Sequence, residues 1–163
     1  MVAQNIVFGI LAVVMVAAAF RLVTTSNVVR AALFLAIVLA GAAALYILLA
    51  AEFVAWVQVL VYIGAVVVLL LFGVMLTRAP IGHDAGLNND QRWLAGLVSL
   101  FLLGALGAVL ADAFGDQKIG AITIQRTANV SDSIFGTYVV PFEVASVLLL
   151  AALVGAVALA RRD

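Results

Sequence analysis

EFVAWVQVLVYIGAVVVLLLFGVMLT, residues Glu52–Thr77, is the stretch whose reading decides the fold. From Phe53 it runs without a formal charge for about 25 residues, or about 37 Å of helix at 1.5 Å per residue. That length crosses a hydrocarbon core of about 30 Å with some tilt. Gln58 and Tyr62 stand four apart, so an α-helix puts them on one face, which Ala65 and Leu69 continue. Gly64 interrupts a helix otherwise crowded with Val and Leu. Anchoring needs only apolar bulk, so polar groups placed in lipid need another reason.

The rest of the chain is written for the same medium. Hydrophobic residues make up 67% of 163 and charged residues 10%, with a mean hydropathy of +1.32. No water-soluble domain of this size covers so much apolar surface. The long apolar runs specify an all-α integral membrane protein rather than a barrel. A net charge of zero and the absence of a basic patch exclude nucleic acid as a partner. The chain has no cysteine, which excludes disulfides, cysteine-ligated iron–sulfur clusters and covalently attached haem. Its single histidine, His83, lies in a loop among Gly82, Asp84 and Gly86 and reads as solvated. No catalytic residue, metal ligand or cofactor-binding residue is expected in this chain.

Five spans are predicted within one membrane domain, residues 1–163, at about 2–23, 28–50, 53–77, 93–111 and 138–160. The first lacks a basic region before its apolar run, so it reads as a retained anchor rather than a signal peptide. A polar break between Arg21 and Arg30 separates it from the second. Ala32, Ala36, Ala40 and Ala44 recur every four residues there, either as a small-residue contact stripe or because alanine is frequent throughout. With only Ala51 and Glu52 between them, the second and third spans form a tight antiparallel hairpin. Pro80 ends the third span, and a Gly-, Asn- and Asp-rich loop leads to Trp93. Gly96, Gly104 and Ala108 line the fourth span with Leu100. The polar stretch Asp112–Thr137 is read with a short extended piece at 121–125 and an amphipathic turn around Ile134–Phe135. Asn129 and Ser131 there match a glycosylation acceptor, treated as chance. Placing the amino terminus outside collects Arg21, Arg30, Arg78, Arg92, Arg161 and Arg162 inside and leaves Lys118 and Arg126 outside. The predicted topology is therefore N-out and C-in. Arginine-rich, alanine-rich usage points to a GC-rich bacterial gene, and so to a bacterial inner membrane.

Few residues could carry chemistry. Gln58 and Glu143 enter the membrane to similar depth from the outer side and could face one layer of the bundle. Glu143 follows Pro141 and reads either as a first-turn carboxylate favoured by the helix dipole or as a functional group, with Ser146 in hydrogen-bonding range. Tyr62 lies near mid-membrane and needs a partner for its hydroxyl. Glu52 marks the membrane surface. The spans lack the unpaired lysine or paired acids of a self-sufficient pump, which favours a subunit completing a path built mainly by others.

VQVLVYIGAVVVLLLFGVML (Val57–Leu76) resembles the third transmembrane helix of the J-type subunit of respiratory complex I, the proton-pumping NADH:quinone oxidoreductase. YVVPFEVASVLLLAALVGAVALAR (Tyr138–Arg161) resembles that subunit's last helix, and Asn27 with Ala31 matches an NxxxA segment. The resemblance spans nearly the whole chain. It implies a membrane-arm subunit that couples quinone reduction to proton translocation without redox chemistry of its own. FMN, iron–sulfur clusters, quinone and NADH would belong to other subunits of the hetero-oligomer. It also implies a π-bulge around Tyr62–Ala65 whose conversion to α-helix gates a water path. Tyr62, Gly64, Ala65 and Val66, with Gln58 and Glu143, are then the candidate gating and proton-path residues. Where many relatives carry an acid, this chain has Gln58. An added residue in one turn rotates the remainder of the helix by about 100°, and glycine lowers the steric cost. A subunit of a related cation/proton antiporter and a purely structural helical clamp are the alternatives.

Overall fold

The computed structural model describes residues 2–77, 91–116 and 126–161. His83, the helix end at Arg78–Pro80 and the extended piece expected at 121–125 lie outside the described residues. The described chain is helical, with no strand, and five helices are long and apolar enough to cross a membrane. The first two are α1 (Val2–Thr24) and α2 (Val28–Leu48). The third span, Glu52–Leu76, is built of α3 (Glu52–Val57), a π-helical segment Gln58–Val67 and α4 (Val68–Leu76). The fourth is α5 (Arg92–Phe114), which runs a turn beyond the expected end and takes Asp112 into the helix. A short helix α6 (Thr127–Asp132) with a π turn (Ser133–Thr137) leads into the fifth span, α7 (Val139–Ala160). The π turn is fixed on α7 by an edge-to-face contact of Phe135 with Phe142, centroids 5.1 Å apart.

Local chemistry explains the two turns that fold the first three spans together. At the α1–α2 turn the Thr24 hydroxyl donates to the Phe20 carbonyl at 2.8 Å, closing α1. Asn27 then caps α2, its Oδ1 accepting the Arg30 N–H at 3.0 Å. The α2–α3 turn is a Schellman motif, in which the Ala50 N–H donates to Ile47 and the Ala51 N–H to Tyr46. Ala50 takes the left-handed conformation this requires, φ 57°, at a cost of about 1 kcal/mol that a glycine would avoid. These closing bonds give the tight hairpin that the sequence predicts.

Helix α2 is the centre of the packed part, since α1, α3, the π segment and α4 all lie against it. Outside the π segment, the buried residues among those described are small: Ala18 on α1, Ala32, Gly41 and Ala43 on α2, and Ala55 on α3. Small side chains let backbones approach where lipid supplies no hydrophobic drive. The expected every-fourth alanine stripe is only partly the contact. Ala32 is buried, but Ala40 is exposed, and Gly41 and Ala43 take over. A built Cβ on Gly41 would lie 2.7 Å from Met15 Sδ and closer still to Met15 Cγ. Met15 thus occupies the notch that Gly41 leaves. Among the described residues α5 packs on no other element, and α7 only on its own π turn. The stripe of Gly96 and Gly104 meets nothing within 4 Å. Helix α6 touches α3, which places the α6 turn at the same end as the α2–α3 hairpin, as five alternating spans demand.

Candidate functional site

The π-helical segment Gln58–Val67 sits in the middle of the third span, and among the described residues its neighbour outside that span is α2. The segment starts where the Gln58 N–H reaches both the Val54 and Ala55 carbonyls. It ends where the Val68 N–H donates to Ala65, three residues back, instead of to Gly64 as an α-helix would. Between these points the wider winding changes which side chains share a face. Gln58 is 8% exposed and Val67 2% exposed, and they are nine residues apart. Nine residues make about two and a half α-turns, which would set the two on opposite faces. They make about two π-turns, at about 4.4 residues each, which sets both against α2.

This corrects the face expected from α-periodicity. Ala65 and Leu69 do not continue the face of Gln58; both are exposed. Half-buried Ile63 and buried Val67 do so instead. Tyr62 is 48% exposed and its hydroxyl has no hydrogen bond among the described residues, so it pins none of them. Gly64 and Val66 are exposed too. A Cβ at Gly64 would meet only the Val59 carbonyl oxygen, at 3.5 Å, an ordinary contact. Close packing of neighbours around Gly64 is therefore not found among the described residues.

Among the described residues, Gln58 is the buried polar one. It belongs to the segment that packs on α2, and its side-chain amide has no hydrogen-bond partner among the described residues. The amide atoms are not wholly sealed off, so a water or a neighbouring chain can still reach them. Leaving an amide unpaired away from water costs about 1–3 kcal/mol, so such a group is tolerated where something else engages it.

Glu143 lies elsewhere. It is the fifth residue of α7, past the first turn to which the dipole effect is confined. The Ser146 hydroxyl donates to the Glu143 backbone carbonyl at 2.7 Å, not to the carboxylate. The side chain borders a shallow apolar groove with Val140, Val144, Val147 and Leu148. Because α7 does not touch the third span, Gln58 and Glu143 are not brought together.

Comparison with known proteins fits this architecture. The family described as NADH-ubiquinone/plastoquinone oxidoreductase chain 6 matches residues 18–159. The F(420)H(2) dehydrogenase subunit J of Methanosarcina mazei is 42% identical over 98% of this chain and 92% of that protein. The NAD(P)H-quinone oxidoreductase chain 6 of Synechocystis sp. is 40% identical over 98% of this chain and 82% of that protein. The chloroplastic subunit 6 of Mesostigma viride is 34% identical over 98% and 85%. With five apolar spans in the order described, the chain belongs to the NADH-ubiquinone/plastoquinone oxidoreductase chain 6 family.

Proposed function

We propose that this chain is a non-redox membrane-arm subunit of a complex I-type enzyme, coupling quinone reduction to proton translocation. Its third span acts as a gate that passes between π and α winding. The observation that carries the gate is the shared burial of Gln58 and Val67, nine residues apart, against α2. Converting the ten π residues to α winding would turn α4 by about half a revolution relative to α3. Val67 would leave α2, and Tyr62, Gly64, Ala65 and Val66 would be presented to different neighbours. Gln58 stays at the fixed end, where its unpaired amide can hold a water at the head of the path. Glu143, on a helix apart, is a second polar station whose partner belongs to another subunit.

The relatives support placing electron chemistry elsewhere. Their names carry two donors, F(420)H(2) and NAD(P)H, at 42% and 40% identity. So similar a membrane chain serving both is not where the donor is chosen. FMN, iron–sulfur clusters and quinone accordingly fall to the partner subunits. We place the chain in a prokaryotic plasma membrane, N-out and C-in, from the six basic residues gathered on one side.

Affinity purification through a tag on this chain, from its native membrane, tests the assembly. Flavin- and iron–sulfur-containing subunits are expected to accompany it. Recovery with antiporter subunits alone would contradict the reading. A reporter fused after Asp163 is expected to be active only in the cytoplasm, and activity only outside would reverse the orientation.

A further inference from the structure

The α1–α2 turn holds a cleft that the gating reading leaves unused. It is lined by Arg21, Thr24, Thr25, Ser26, Arg30 and Phe34. Two guanidinium groups, on the last turn of α1 and the first turn of α2, border one polar depression at the membrane surface. Neither makes an ion pair among the described residues. The described acids lie at the far ends of their spans or beyond. Glu52 opens α3, Asp112 sits in the last turn of α5, Asp116 follows it, Asp132 ends α6, and Glu143 is near the start of α7. Five alternating spans put all of these at the opposite end from the α1–α2 turn.

The hydroxyls complete the chemistry. Thr24 uses its proton on the Phe20 carbonyl, whereas Thr25 Oγ1 only accepts, from the Asn27 N–H at 3.4 Å, and keeps its proton to donate. Ser26 is exposed, and its hydroxyl has no partner among the described residues. Arg21, Arg30, Thr25 and Ser26 are thus donors converging on one cleft, beside a helix N-terminus that favours negative charge. Phe34 and the exposed apolar flank of α1 continue the cleft toward the bilayer core.

We propose that this cleft binds the phosphate of an anionic phospholipid headgroup, with the acyl chains lying along α1 and Phe34. The depth of the site selects a lipid over a free anion, because the phosphate plane of a bilayer lies where Arg21 and Arg30 end their spans. The proposal rests on membrane insertion of α1 and α2, and not on the coupling reading.

The test uses the whole purified complex, as wild type and with Arg21→Gln plus Arg30→Gln. Binding is measured with vesicles of phosphatidylglycerol in phosphatidylcholine, and tightly held lipid by native mass spectrometry. The wild type is expected to retain one more anionic lipid than the double variant. Its affinity for phosphatidylglycerol should be about thirtyfold higher, about fivefold per arginine. Phosphatidylcholine alone should not separate the two proteins. Equal retention and equal affinity would overturn the proposal. So would full competition by millimolar inorganic phosphate, which would make the cleft a free-anion site. Asp84→Asn and Asp90→Asn provide a second check. If either raises wild-type lipid affinity as far as the arginine pair lowers it, a carboxylate of this chain is the occupant and the proposal fails. A double variant that does not assemble is replaced by Ser26→Ala with Thr25→Val, expected to weaken retention by about fivefold.

Discussion

Deleting Leu60 and Val61 together is expected to leave the complex assembled and to reduce quinone-linked proton pumping about tenfold or more. Both side chains are exposed, so no buried side chain is removed. The deletion leaves Gln58 and Val67 seven residues apart, which is about two α-turns, so an unbroken α-helix would now bury both against α2. Length is preserved as well. Ten π residues at about 1.15 Å and eight α residues at 1.5 Å both span about 12 Å. The variant keeps the packed faces and the span but loses the capacity for two windings. Donor oxidation with an artificial electron acceptor should be unchanged, because no redox group is touched. If pumping and quinone-linked turnover persist at the wild-type level, the π segment is a packing feature only.

The residues involved explain why the winding is not legible in the sequence. Helical periodicity shows only where the faces of a helix contrast, and VLVYIGAVVVLLL offers almost no contrast. With nearly every position apolar, the pair Gln58 and Tyr62 supplies the only polar spacing, and an α-turn fits it. That the third span contains a π segment comes from resemblance around Tyr62–Ala65, not from periodicity. The burial of Val67 comes from neither. By contrast, span number, the α2–α3 hairpin and the polar break before Asn27 are written in composition and turn chemistry. The placement of Glu143 is half legible. Its position near the start of the last span can be read from the chain, but α7 stands away from the third span. No local sequence signal encodes that separation.

The second large effect concerns the α1–α2 contact. Gly41→Leu is expected to destabilise the packed half of the chain by about 1–3 kcal/mol and to lower the amount of assembled complex severalfold. The cause is the Met15 side chain, whose Sδ would lie 2.7 Å from even a bare Cβ on Gly41. Met15 is flexible enough to yield to one methyl group, so Gly41→Ala should cost much less. A branched side chain has no such outlet, and α1 must move away from α2. Combining Gly41→Leu with Met15→Ala should restore part of the loss, because the notch is re-formed from the other side. The coupling energy from the double-mutant cycle measures that contact directly. Additive effects, with no rescue, would show that Met15 and Gly41 do not share the interface as described.

Structures of the assembled complex, resting and trapped during quinone-linked turnover, test the gate most directly. Two forms of the third span are expected. In one, Gln58 and Val67 both lie against α2; in the other, Val67 has turned about half a revolution away while Gln58 remains. The same π winding from Gln58 to Val67 in every state, with Val67 always on α2, would contradict the gate.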